Sequence, residues 1–206
     1  MSDTKPSLDA LRVEIDEIDN QLHDLIMARS KIIERVRMAK EGERTKIRPA
    51  REAEILYRLS ERHQGVFPKQ SLFRMWREMI VGTLALEAPF AVAVQDVVGE
   101  DGYADLARDH FGSFSNLRRH ESAAAVIDMV NNDEVTVGVL PFPQPHSDNA
   151  WWRYLATDGD QRPMIMGRLP FFGRSNAQGA NLDALVISTV KPEPSSRDIS
   201  VYSLDI

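Results

Sequence analysis

Arg29 and Lys40 are the residues of this sequence whose type and place most plainly ask for chemistry. They fall in the series Leu8, Leu11, Ile15, Ile18, Leu22, Leu25, Arg29, Ile32, Val36 and Lys40, which steps by three and four almost throughout. That spacing is the heptad seam of a long helix packed against other helices, where Leu or Ile belongs. A guanidinium placed there keeps its charge, so an anion must meet it. For Arg29 alone a carboxylate of the protein itself would suffice. Arg29 and Lys40 together share one face, eleven residues and roughly 16 Å apart, and two such side chains can grip one small dianion. Arg12 lies roughly 25 Å before Arg29 on the same rod. It meets that ligand only from a second copy packed antiparallel, so its participation implies a dimer.

The elements that carry these residues follow from the pattern. Ser7 is placed to cap a first helix that runs to about Lys40. Gly42 breaks it, and Pro49 opens a second helix with the apolar face Ile55, Leu56 and Leu59, closed by Gly65. Pro68 opens a third, whose stripe is Leu72, Trp76, Met79, Ile80, Thr83 and Glu87, with Trp76 and Met79 as core. Three helices thus fill residues 1–88, and the first exposes its seam unless a partner covers it. From Phe90 the pattern becomes α/β. Ala91 to Val94, Val135 to Leu140, Met164 to Leu169, Leu185 to Val190 and Ile199 to Leu204 read as strands. Tyr103 to Phe111 and Ala123 to Val130 read as helices, and Trp151 to Ala156 as a short one. The chain stops on a strand-like run, which fits an edge strand or a truncated end.

Composition narrows the function classes. The chain has 206 residues, 43% of them hydrophobic, which suits two modest domains. Residues 1–88 carry 16 Lys and Arg against 15 Asp and Glu, and residues 89–206 carry 9 against 16. An acidic second half argues against a nucleic-acid partner. Without cysteine there is no disulfide, no thiolate nucleophile and no zinc-thiolate site. The five histidines show no metal-ligand spacing and read as surface or helix-end residues; no metal and no cofactor is expected. No apolar run approaches a membrane span and the N-terminus lacks a signal-peptide core, so a cytoplasmic protein without membrane partners is expected.

The first half resembles the all-α class of chorismate mutases. The stretches that carry the likeness are Leu11 to Asp16, Ile18-Asp19, Leu25 to Arg29, Val36 to Lys40, Arg51 to Glu54 and Trp76 to Glu87, with family spacing between Arg12, Arg29 and Lys40. The resemblance implies an intertwined helical homodimer that rearranges chorismate to prephenate without a covalent intermediate. It implies Arg29 on one substrate carboxylate, Arg12 of the other subunit on the second, and Lys40 at the ether oxygen. Glu52 would accept from the ring hydroxyl, and Thr83 would touch a carboxylate. Glu87 stands where many relatives have Gln, in a role that donates to the ether oxygen, so it must be protonated to serve. Burial beside an anionic substrate would favour that form, and Lys40 would oppose it. Arg48 departs from the Asp common in relatives, which leaves Arg51 in a supporting position.

The second half resembles, more faintly, one lobe of a prephenate dehydratase, a periplasmic-binding-like fold. Gly102 to Ala107, His110 to Gly112 and Gly138 to Pro141 carry this. Phe142-Pro143-Gln144 replaces the expected Glu-Asn-Ser, and no Thr-Arg-Phe is present, so residues 89–206 read as a degenerate, non-catalytic domain. Two rival functions use the same residues. An isochorismate pyruvate lyase needs the same cationic clamp, and a helical dimerisation module with a regulatory α/β lobe needs none.

Overall fold

The computed structural model describes residues 6–39, 47–87, 89–98, 102–144, 150–156, 162–173, 182–195 and 197–202, the side chains of residues 85–87 excepted. The chain forms two compact units, Met1–Thr45 and Lys46–Ile206. The boundary expected between residues 88 and 89 rests on the change of pattern in the sequence.

The first unit is helix α1, Leu8–Ala39. Ser7 caps it as expected, its Oγ accepting from the Ala10 amide at 3.2 Å. Lys40, expected to end the helix, lies outside the described residues. No residue of α1 is buried. Leu8 is 73% exposed and Leu25 66%, and Ile15, Ile18, Leu22, Ile32 and Val36 are exposed too.

The second unit holds everything else. Helix α2, Pro49–Arg62, starts with proline in its first turn and buries Ala53 and Leu56. Helix α3 is Lys69–Glu87. It buries Phe73, Arg77, Ile80 and Val81, a line one step round from the expected one. Trp76 and Met79, expected as core, are only partly buried. The reason is that α3 is apolar on two faces, and the α/β region covers the face that carries Phe73 and Val81.

Strands β1 (Ala91–Gln95), β2 (Asn116–His120), β3 (Val137–Pro141), β4 (Met164–Leu169) and β5 (Ala184–Ser188) form one sheet in the order β2-β1-β3-β5-β4. β1 pairs in parallel with β2 and β3, whereas β5 runs antiparallel to β3 and β4. Helices α4 (Gly102–Phe111) and α5 (Ala123–Asn131) make the two parallel crossovers, and Trp151–Leu155 is a short 3-10 turn. Side chains alternate across the pleat. Val92, Val94, Val137, Val139 and Val186 face one core with Leu106, Phe111 and Ile47. Ala93, Leu140, Leu185 and Ile187 face the other with Val126, Val130 and Trp151. Trp151 is fully buried and anchors this second core, its indole donating to the Pro141 carbonyl at 3.1 Å. At Gly138 helix α5 comes so near that a Cβ would sit 2.8 Å from Val126 Cγ1.

Two strand expectations change. β2 was not foreseen, because Asn-Leu-Arg-Arg-His is an edge strand with little apolar signal. The strand expected from Ile199 is not formed at residues 199–202, and residues 203 and 204 lie outside the described ones.

Candidate functional site

The cations of α1 differ in their surroundings. Arg12 is exposed and pairs with Asp9 one turn earlier at 3.0 Å. Arg29 is partly buried, and that burial draws its guanidinium below the ordinary arginine value. It stays charged, since no accessible pH removes that proton. Among the described residues it has no carboxylate partner. Lys40 lies outside the described residues.

The site residues on α2 and α3 are held by the second unit. Glu52 sits in the first turn of α2, where a carboxylate suits the helix dipole. Its Oε2 receives Arg77 Nη1 of α3 at 2.5 Å, and both side chains are nearly enclosed. Arg77 also donates through Nε to the His110 carbonyl at 2.6 Å. Glu52 Oε1 has no hydrogen bond among the described residues. The Thr83 hydroxyl turns back onto its own helix, donating toward Met79 O at 3.0 Å and Ile80 O at 2.7 Å, so its lone pairs stay open. Glu87 is the last residue of α3, and its side chain is outside the description.

Arg48 has an occupation of its own, binding Glu193 at 3.0 Å. Further along α2, Arg197 lies over the Tyr57 ring at 4.3 Å and pairs with Glu61 at 3.3 Å. The segment after β5 thus ties to both ends of α2. Arg51 pairs with Glu54 of its own helix, in keeping with a supporting position.

A cavity of about 470 Å³ opens beside Arg77, lined by Leu56, Phe73, Phe171, Phe172, Arg74 and His110 among others. Phe73 and Phe172 stack with centroids 4.4 Å apart. His110 was read as a surface or helix-end residue. It does end α4, but its ring is partly buried, packed against Phe111 and Phe171. Burial first, and the Arg77 cation second, hold its imidazole well below the ordinary histidine value. The end of α4 is bound to α3 throughout: Arg74 pairs with Asp109 at 2.8 Å, and Glu78 accepts from Ser113 N at 3.0 Å and Oγ at 2.6 Å. Gly112 between them takes φ +82°, the left-handed turn that ends a helix.

The sequence reading missed Arg77 and His110. Arg77 had a visible signal, a cation one residue from the Trp76 stripe, but its acid lies 25 residues away on another helix. Gln95 was missed as well; it is buried at the end of β1, and its Oε1 has no hydrogen bond among the described residues. Among the described residues no group of three or more acidic or histidine side chains is placed to hold a metal ion, and no helix is long and apolar enough to cross a membrane.

Three helices bearing spaced cations, joined to a mixed five-stranded sheet, define the class: a helical domain of the chorismate mutase kind followed by a small α/β region consistent with a prephenate dehydratase-like domain. Residues 11–88 match the family chorismate mutase type II. A protein of Stutzerimonas stutzeri named bifunctional chorismate mutase/prephenate dehydratase is 32% identical over 140 residues, covering 65% of this chain and 38% of that protein. One of the same name from Pseudomonas aeruginosa matches to the same extent. Its Aquifex aeolicus counterpart is 36% identical over 91 residues, 42% of this chain and 25% of the relative. The chain thus spans well under two thirds of the length of these relatives. A match over 65% of the chain exceeds the helical segment, so the likeness runs into the α/β region.

Proposed function

We propose that residues 1–88 form a chorismate mutase domain, acting as a homodimer in the cytoplasm on the route to phenylalanine and tyrosine, with residues 89–206 a non-catalytic α/β domain. The reaction is an intramolecular rearrangement whose transition state gathers negative charge on the breaking ether oxygen. It needs a folded substrate and fixed cations, with no nucleophile. Arg29 holds one carboxylate and Arg12 of a second copy the other. Lys40 and a protonated Glu87 meet the ether oxygen, Glu52 accepts from the ring hydroxyl through its open oxygen, and Thr83 touches a carboxylate once its hydroxyl proton turns away from the Met79 and Ile80 carbonyls.

The observation that carries this reading is Arg29: partly buried, always charged, and without a carboxylate among the described residues, within a segment of the matching family. The exposed seam of α1 supports the second copy.

The test is to incubate the protein with chorismate and with isochorismate and follow the ultraviolet absorbance. Chorismate is expected to be consumed, with kcat/KM lowered by about 10²–10³-fold in Arg29→Ala and in Lys40→Ala. Consumption of isochorismate instead would make it a lyase, and conversion of neither by a folded dimer would leave a non-enzymatic module. The proton on Glu87 gives a second test. With the carboxyl form active, kcat/KM rises as pH falls toward mild acidity, and Glu87→Gln, a donor at every pH, flattens the profile. An unchanged profile in that variant refutes the role.

A further inference from the structure

We infer that Arg77 is a positioning residue for Glu52, through which the end of α4 fixes the acceptor for the substrate's ring hydroxyl. This rests on the mutase reading and on Glu52 as that acceptor.

A glutamate in the first turn of a helix has several rotamers open to it, and each hydrogen bond to substrate must overcome that freedom. Glu52 has lost the freedom before substrate arrives. Arg77, itself only 4% exposed, grips Oε2 at 2.5 Å. Arg77 is in turn immobilised by the His110 carbonyl, which its Nε reaches at 2.6 Å. The planar guanidinium makes these two bonds parts of one rigid fork, so the direction of the Glu52 carboxylate is referred to the backbone of α4. His110 O lies in the last turn of α4, where carbonyls lack helical partners and a cation is favoured. With Oε2 occupied, Oε1 is the oxygen left to accept.

A buried ion pair of this kind is a poor source of stability, since apolar side chains of similar volume commonly replace it without loss. A geometric purpose fits it better. It also gives the α/β region a part in the reaction: residues beyond 88 hold a group that touches substrate.

The test compares Arg77→Met, Arg77→Lys, Glu52→Gln and the double variant Arg77→Met/Glu52→Gln, on chorismate and on an analogue lacking the ring hydroxyl. Arg77→Met is expected to lower kcat/KM for chorismate about tenfold, mainly through KM, as loss of binding common to ground and transition state does. Glu52→Gln should lose a similar factor, Arg77→Lys should recover part of it, and the double variant should be no worse than the poorer single one. The analogue has no hydroxyl to place, so all four proteins should handle it as the wild type does. Equal losses on both substrates, a wild-type response in Glu52→Gln, or an additive double variant would each overturn the inference. If Arg77→Met leaves a lone buried carboxylate and does not fold, the double variant against Glu52→Gln supplies the same comparison. A wild type inert toward chorismate would fell the mutase reading together with the inference. A wild type that is active, with Arg77 variants blind to the hydroxyl, would fell the inference alone.

Discussion

Helix α1 and strands β1, β3 and β5 are the most regular apolar series in the chain, and they end in opposite environments. Val92, Val94, Val137, Val139 and Ile187 are fully enclosed. Ile15, Ile18, Leu22 and Leu25, as apolar and as evenly spaced, are each exposed to about half or more. The sheet's period of two is met on one side by α4 and on the other by α5. The three-four period of α1 buries nothing. One pattern describes a core that the chain closes for itself, the other a seam that the proposed homodimer would close. A residue of the first kind contributes to stability at any dilution, whereas a residue of the second contributes only as far as association proceeds.

The largest expected effect breaks the α1 side of this contrast. Ile18→Glu puts a charge on the seam, and the protein should sediment as a monomer. If Arg12 serves a neighbouring copy's site as proposed, kcat/KM on chorismate should fall by about 100-fold or more. The thermal transition of the second unit should stay in place. A variant that remains dimeric with full activity would remove the seam from the argument.

Next in size is Leu140→Ala, in the core between the sheet and α5. Truncating an enclosed leucine should cost about 2–5 kcal/mol. Urea melts should give the same loss at any protein concentration, whereas the cost of Leu22→Ala on the seam should change with it. If both losses are independent of concentration, α1 is stabilised within its own chain and the contrast fails.

What was legible in the sequence divides along similar lines. The seam of α1, the proline and serine caps, and the buried strands show themselves because their signals are local. β2 did not, since an edge strand bearing Arg118 and Arg119 has no apolar period to read. The buried face of α3 was read one step off, since Phe73 and Val81 differ from Leu72 and Met79 only in what packs on them. Of the site, the α1 cations stood out because a charge interrupted a regular seam. Arg77 with Glu52, and Arg48 with Glu193, are pairs across 25 and 145 residues, and no local pattern announces such a partner.

The smallest expected effect sharpens the contrast at one titrating group. Burial, and then the Arg77 cation, keep His110 neutral well below the pH at which a free imidazole titrates. The carboxylates along the same cavity are already engaged, Asp109 by Arg74 and Glu78 by Ser113. In the unfolded chain His110 takes up a proton below about pH 6.5, and in the folded chain it does not. The unfolded state therefore binds more protons in that window, so stability rises with pH up to about 6.5 and is full above it. Acidification from pH 7 to pH 5 should lower the urea midpoint, by a slope of at most about 1.4 kcal/mol per pH unit for this one proton. His110→Gln should remove that slope, and Arg77→Met should shrink it, since the cation is the second cause of the shift. The same exchange at His23, exposed on α1 beside Asp24, is the control. A slope that survives His110→Gln unchanged would mean that the acid sensitivity of the second unit lies in other groups, and that the His110 ring does not feel the burial and the Arg77 cation at the end of α4.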